Sequence, residues 1–323
     1  MDGLRHTPLS PLSIAVLLGG HSAERKISLQ SGNAVAEALK QRGHSVTLVD
    51  PAIQPLERFD WSHTDVAFLA LHGTFGEDGG AQEILERLGV PFTSSGSETS
   101  RVAFSKSAAK ERFLQHNVST PSYTLIHETD GFERIHEHAR RIGYPIVIKP
   151  DAQGSSIGVS MVRSPDQLEA ALSQCFYFES FGLMERLIDG TEWTMGFIDT
   201  DPLPLIRIQT ARGFYDYQAK YEDDSTQYLF DYGVDDKVLK RLADTGAAAC
   251  KALGTRGIAR VDMRLDEFGQ PFALEVNTIP GMTDHSLVPK AAARLGFDMG
   301  QLCEIVVERT LKSAQQRGVR RAS

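Results

Sequence analysis

Apolar residues recur along this chain with two different periods, and the switches between them mark strands and helices. Short apolar runs at residues 13–18 (SIAVLL), 45–49 (SVTLV) and 66–71 (VAFLAL) predict strands, with a last one at 90–92. The first run enters a Gly-Gly turn, GGHSAER, and then a helically spaced segment over 23–42, the opening of a doubly wound fold. That turn is not G-x-G-x-x-G, so it does not point to a dinucleotide. A helix is predicted over 100–115, a strand over 123–126, a helix over 132–142, and a buried strand ending on Lys149 within GYPIVIKP (143–150). A helix over 165–172, strands at 183–188, 192–199 and 204–209, and helices over 236–253, 287–295 and 299–317 complete the pattern. The loop SSGSE at 94–98 suggests a boundary.

Strict alternation is clearest in GIARVDMRLDEFGQPFALEVN, residues 257–277, which reads as two strands around a DEFG turn. Val261, Met263 and Leu265 share one face of the first strand, and Leu274 and Val276 share one face of the second. With the turn centred near Phe268, Asp262 pairs with Glu275 and Arg260 with Asn277, to within about one residue of register. One face is then apolar and the other carries two carboxylates, an amide and a guanidinium. Hard oxygen donors grouped this way suit Mg²⁺, although a solvated face of a half-exposed hairpin would carry the same charges. The Gly/Pro loop that follows, TIPGMTDHSLVP (278–289), has the composition of a site edge.

Three other stretches carry chemistry. HGTFGEDG (72–79) closes the strand at 66–71, and ligands of open α/β sheets bind at carboxyl ends. Lys149 leads into DAQGSSIGVSMV, where backbone N–H groups and an ammonium could cradle phosphate; a plain hairpin turn is the alternative. The polar, aromatic segment ARGFYDYQAKYEDDSTQY (211–228) has no clean period and the length of a functional lid. Lys106 and Lys110, on the predicted 100–115 helix, could each be an ordinary surface lysine.

Composition narrows the classes. A chain of 323 residues with 41% hydrophobic and 24% charged content is long enough for two or three globular domains. A net charge of −8 argues against nucleic-acid binding. No run approaches ~18 apolar residues, so no membrane span is expected, and the first residues lack a signal-peptide core. Three dispersed cysteines, Cys175, Cys250 and Cys303, form no disulfide or metal-binding spacing and fit a reducing, cytoplasmic setting.

Six motifs in series, GGHSAERKISL (19–29), LHGTFGEDG (71–79), IKPDAQGSSIGVS (148–160), FYDYQAKY (214–221), ARVDMRL (259–265) and LEVNTIPGMTDHSLVP (274–289), resemble the ATP-grasp superfamily and, within it, the D-alanine–D-alanine ligases. The resemblance spans nearly the whole chain. It implies an α/β (α+β) ATP-grasp fold with an N-terminal Rossmann-like domain at 1–103, a small central subdomain at 104–188, and a C-terminal subdomain at 189–323 with its lid at 211–228. It implies ATP-dependent joining of two D-alanines through an acyl phosphate for peptidoglycan precursor synthesis, with ATP as co-substrate and two Mg²⁺ (or Mn²⁺) ions on Asp262, Glu275 and Asn277. Lys106, Lys149, Ser156 and Lys220 would serve the nucleotide phosphates, and Arg260 the phosphates or the reacting carboxylate. Glu185, Arg186, Ile188 and Glu192 would line the adenosine pocket. Glu24 would hold the first D-alanine's ammonium in a set with Ser155 and Tyr221, His72 would contact substrate, and Arg260, Gly281 and Ser286 would handle the second D-alanine and the oxyanion. A cytoplasmic homodimer is the implied state. D-serine or D-lactate as second substrate, or a nucleotide-binding module without turnover, are the alternatives. Three positions depart from the family pattern: Glu83, expected to strain a helix start; TQYLFDYGV in the lid, expected to alter the lid's conformation; and Asp284, expected to alter the surroundings of Ser286.

Overall fold

The computed structural model describes residues 4–210 and 225–318, which form three sheets with helices packed against them. The first sheet is parallel, with order β2-β1-β3, built from β1 (Ser13–Leu17), β2 (Ser45–Val49) and β3 (Val66–Leu69). The strand expected at 90–92 is reduced to a single parallel bridge between Ala67 and Phe92. Pro91 has no N–H to extend the ladder, and only its carbonyl is used, accepting from Ala67 N–H at 2.8 Å. Helix α1 (Arg25–Gln41) starts two residues later than its apolar period suggested, which leaves Glu24 at the N-cap. Helix α2 (Gly80–Leu88) follows the 72–79 loop. Its Glu83 does not strain the helix start: it is exposed and pairs with Arg101 at 3.0 Å, while the buried neighbour Gln82 bonds Gly76 O at 2.6 Å.

The helix expected over 100–115 is two helices, α3 (Ser97–Phe104) and α4 (Lys106–Gln115). Ser105 leaves the helical region between them and caps α4, its hydroxyl accepting from Ala108 N–H. Lys106 therefore opens a helix instead of lying inside one. The second sheet is antiparallel, with order β4-β7-β5-β6: β4 (Tyr123–His127), β5 (Ile146–Pro150), β6 (Ser160–Val162) and β7 (Phe181–Arg186). Helices α5 (Phe132–Ile142) and α6 (Leu168–Phe178) cover one face, packing Ile135, Ala139, Leu168 and Cys175 on Ile126, Ile146, Ile148 and Met184. Alternation along β5 and β7 then turns Val147, Lys149 and Glu185 to the opposite face.

The third sheet has order β11-β10-β8-β12-β13, with β9 on the side of β8. Its strands are β8 (Thr191–Ile198), β9 (Asp201–Pro202), β10 (Ile206–Gln209), β11 (Gln227–Leu229), β12 (Ile258–Leu265) and β13 (Pro271–Asn277). β11 takes Gln227 and Tyr228 out of the expected lid; the rest of that segment to residue 224 lies outside the described residues. Helices α7 (Asp236–Leu253), α8 (Leu287–Arg294) and α9 (Met299–Gln316) close the fold. The hairpin β12–β13 pairs Arg260 with Asn277 and Asp262 with Glu275, as alternation and turn position require. A bulge follows: Met263 faces Ala273, not Leu274. The bulge overturns one expectation. Ala273 and Val276 enter the core, while Leu274 lines the cavity on the polar side.

Among the described residues no helix is long and apolar enough to cross a membrane, and the three cysteines are buried without disulfides. Close packing between α1 and the first sheet depends on Gly32, where a Cβ would overlap Leu18 Cβ. Helix propensity favours alanine there by about 1 kcal/mol. Overpacking of a fully packed contact costs roughly 1–3 kcal/mol, so Gly32→Ala is expected to destabilise the protein, measurable as a lower denaturation midpoint; an unchanged or raised midpoint would refute the packing account.

Candidate functional site

Two cavities open between the sheets, and both are bordered by Gly154 and Glu275. The first is lined by Lys106, Lys149, Ser156, Glu185, Arg186, Ile188 and Glu192, together with Asp262 and Glu275. The second is lined by Glu24, His72, Ser155, Arg260, Glu275, Asn277, Gly281 and Ser286. Every site residue expected from the sequence and lying in the described portion borders one of the two. Lys220 and Tyr221 lie outside the described residues.

In the first cavity, Lys149 Nζ lies 2.5 Å from Glu185 Oε1, and Lys110 Nζ lies 2.9 Å from Glu185 Oε2. Burial alone would raise the Glu185 carboxyl, but the Lys110 and Lys149 ammoniums outweigh it and hold the group down at about 2. Lys110 is fully buried, and burial pulls it down to about 8 against the opposing pull of Glu185. Apolar spacing in α4 gave no sign of this, because the groups that need Lys110 come from β7 and the 120 region. On the far wall, Arg264 joins Glu192 at 3.2 Å and donates to Ile188 O at 3.2 Å and Gly190 O at 3.0 Å, fixing the turn that carries both.

The loop between β5 and β6 is tied to α4. Asp151 accepts from Ser105 Oγ at 2.7 Å and from Ser107 N–H at 2.7 Å, and Lys106 Nζ donates to Gln153 O at 2.6 Å. Ser155 and Ser156 both have left-handed backbones, at φ 51° and 58°. Such conformations cost about 1–3 kcal/mol each and gather at functional sites. Here they turn the loop so that Ser155 Oγ donates to Glu24 Oε1 across the gap between the first and second sheets.

Glu24 is nearly buried at the N-terminus of α1, where the helix dipole favours a carboxylate. Two glycines leave room for it: a Cβ on Gly154 would lie 2.6 Å from Glu24 Oε2, and one on Gly73 2.8 Å. His72 sits beside it, its Nε2 3.3 Å from Ser31 Oγ. Burial lowers its pKa to about 4, and the Arg260 guanidinium adds to the shift, so the ring is neutral at pH 7. Glu77, in the same loop, borders the second cavity although the sequence did not single it out. Burial raises its pKa to about 8, and the Glu24 carboxylate adds to this. Its signal was its place inside HGTFGEDG. At the cavity's other edge a Cβ on Gly281 would stand 2.8 Å from Ser286 Oγ. Ser286 Oγ lies 2.9 Å from Thr283 Oγ1 and accepts from Thr283 N–H at 2.9 Å, so Thr283 rather than Asp284 sets its surroundings.

The hairpin supplies the donors between the cavities. Arg260 grips Asp262 through Nε at 2.8 Å and Nη2 at 2.7 Å, and Thr194 Oγ1 and Asn277 Nδ2 donate to the same carboxylate at 2.6 and 3.1 Å. Thr194 was not foreseen; β8 brings it opposite Asp262. Glu275 is half-buried and borders both cavities. Among the described residues no group of three or more His, Cys, Asp or Glu side chains is arranged as a metal site. The available set is two carboxylates and an amide, hard oxygen donors that fit Mg²⁺ completed by oxygens of a phosphate substrate.

A family model described as "D-ala D-ala ligase C-terminus" matches residues 115–308. The chain is 42% identical over 295 residues to a D-alanine–D-alanine ligase of Nitrosomonas europaea, covering 91% of this chain and 96% of the relative. Its structure is similar to that of a D-alanine–D-alanine ligase from Bacillus anthracis complexed with ATP, at TM-score 0.81 and 29% identity over 95% of this chain and 100% of that one. The VanG D-Ala:D-Ser ligase from Enterococcus faecalis also has TM-score 0.81, at 25% identity over 93% of this chain and 100% of that one.

The depressed His72 pKa has a consequence for stability. The unfolded chain takes up this proton near the ordinary value of 6.5, the folded chain only near 4. Stability from His72 is present above 6.5 and is lost as pH falls through that window, by about 3 kcal/mol in all. His72→Gln should flatten this part of the stability curve, read from denaturation midpoints at pH 7 and pH 4.5. Parallel acid losses in both proteins would contradict the assignment.

Proposed function

The chain belongs to the D-alanine–D-alanine ligase family, and on that premise we propose that it is an ATP-dependent ligase making D-alanyl-D-alanine for peptidoglycan precursors. The observation that carries this is the meeting of two cavities at Glu275 and Gly154, one lined by lysines and the other by Glu24 and Arg260. A reaction that passes a phosphoryl group from a nucleotide to an amino-acid carboxylate needs this adjacency.

The chemistry opposes like charges. A carboxylate and a phosphate about 4 Å apart repel by roughly 4 kcal/mol per unit pair at an effective dielectric of 20. Lys149 and Lys106 face the nucleotide cavity, and Arg260 faces the neighbouring one, where they offset this repulsion. Asp262, Glu275 and Asn277 would hold Mg²⁺ (or Mn²⁺), two ions in this reading, which supplies further neutralisation of phosphate charge. Glu24 accepts the ammonium of the first D-alanine, and the neutral His72 stays beside it without adding charge. That substrate's carboxylate attacks the γ-phosphorus, the bond to the bridging oxygen breaks, and ADP leaves. The second D-alanine's amine then attacks the acyl phosphate carbonyl, loses a proton, and expels phosphate. Arg260 and the Gly281 N–H stabilise the intervening oxyanion. Glu185, Arg186, Ile188 and Glu192 take the adenosine. Ser156 and Lys220 attend the phosphates, and Tyr221 joins Ser155 and Glu24.

The three sheets support units at 1–103, 104–188 and 189–323. A cytoplasmic homodimer belongs to the same reading. The likeness to a D-Ala:D-Ser ligase keeps D-serine as the second reading for the second substrate.

Mass spectrometry of products from ATP, Mg²⁺ and D-alanine, with D-serine, D-lactate and L-alanine as competitors, should show D-alanyl-D-alanine as the main species. A mixed dipeptide or depsipeptide as the main product would shift the assignment, and ATP binding without any product would end it. Glu275→Gln should lower turnover by at least about 10²-fold with the melting temperature retained; full activity would reject the metal role. Gly154→Ala should crowd Glu24 and raise the KM for the first D-alanine much more than that for ATP, measured by ADP release at varied substrate. Equal effects on both would count against the cradle.

A further inference from the structure

Lys110 is a fully buried ammonium that does not border either cavity. Its Nζ lies 2.9 Å from Glu185 Oε2, donates to Thr120 Oγ1 at 2.6 Å, and sits 5.6 Å from the centre of the Tyr123 ring. Thr120 Oγ1 in turn donates to the Ala273 carbonyl of β13, the strand that carries Glu275 and Asn277. Three directions of one ammonium are thus taken up by three elements. A buried lysine is costly, and a plain core needs none here.

We infer that Lys110 is a positioning residue for the nucleotide, acting through Glu185 on Lys149. The inference rests on the ATP-dependent reading above and assigns a role to a residue that cannot touch ATP itself. The reason is charge arithmetic. Glu185 carries one negative charge between two ammoniums, so the trio has a net charge of +1, and Lys110 is walled off from the cavity. The surplus is therefore presented on the cavity side by Lys149. With Lys110 removed, Glu185 and Lys149 form a neutral pair. Lys149 is then held wholly by the carboxylate, and the cavity loses one of the two ammoniums, beside Lys106, that face the triphosphate. The Thr120 bond keeps this trio in fixed relation to the hairpin that bears the metal-ligand candidates.

The test uses the full chain and steady-state ADP release, with melting curves to confirm folding. Lys110→Met should raise the KM for ATP by about tenfold or more, while the KM for D-alanine stays within about twofold and kcat at saturating ATP changes less. An unchanged KM for ATP in folded Lys110→Met overturns the inference. So does an equal rise in both KM values, which is the mark of general loosening. Should Lys110→Met not fold, Thr120→Val takes its place: it keeps every charge but loosens the Lys110 anchor, and an ATP KM equal to that of wild type would again overturn the inference. If the wild-type chain itself releases no ADP with D-alanine, the functional reading fails. Equilibrium binding of ATP to wild type and Lys110→Met then decides the present inference separately, with equal affinities rejecting it.

Discussion

The register between β12 and β13 is the constraint on which the rest of the site depends. Pairing Asp262 with Glu275 and Arg260 with Asn277 puts two carboxylates, an amide and a guanidinium on one patch of sheet. A slip of one residue between them would turn over one strand's pair, either Arg260 with Asp262 or Glu275 with Asn277, into the apolar layer beneath, where Val261, Met263, Ala273 and Val276 pack. Neither arrangement of charges could survive in that layer, so core and site enforce the same register. The bulge after Asp262 adds to this. It lets Ala273 fill the core and swings Leu274 to the cavity side next to Glu275.

Around that patch, buried charge is balanced in small groups. Glu185 stands between Lys110 and Lys149, Asp262 is gripped by Arg260, and Asp151 caps α4 while Lys106 holds the carbonyl of Gln153. Desolvation would make each isolated ion untenable. Grouped ions keep their charge, as the low Glu185 pKa of about 2 shows. Where burial and a neighbouring carboxylate outweigh the nearest guanidinium, Arg260, the balance tips the other way. Glu77, close to Glu24, is pushed up to about 8 and holds a proton at neutral pH. The site therefore keeps the Lys106 and Lys149 ammoniums on one side of Glu275 and Glu24 with Arg260 on the other, which suits a triphosphate beside an amino acid.

Departures from the family pattern are absorbed locally. Glu83 points outward to Arg101 and leaves packing to Gln82. Asp284 is exposed and its backbone carbonyl accepts from Lys290 Nζ at 3.0 Å, while Thr283 contacts Ser286. The glycines that matter most do so by absence of a side chain: Gly154 and Gly73 leave the volume that the Glu24 carboxylate occupies.

What the chain's own pattern determined was local and periodic. Period-two alternation and turn position were enough to assign the β12–β13 pairing, and a lysine closing an apolar strand was enough to mark Lys149. The motif order carried the family, and with it the residues that line both cavities. What only the folded chain decided was long-range. Lys110 could not be told from a surface lysine until β7 placed Glu185 over it and Thr120 beneath it. Thr194 became a partner of Asp262 only through strand pairing across 68 positions. The break at Ser105, the loss of a strand to Pro91 and the bulge that turned Leu274 each arose where tertiary packing or one missing N–H outweighed a local preference. Periodicity reports which side of an element is buried; it does not report which distant charge will be waiting there.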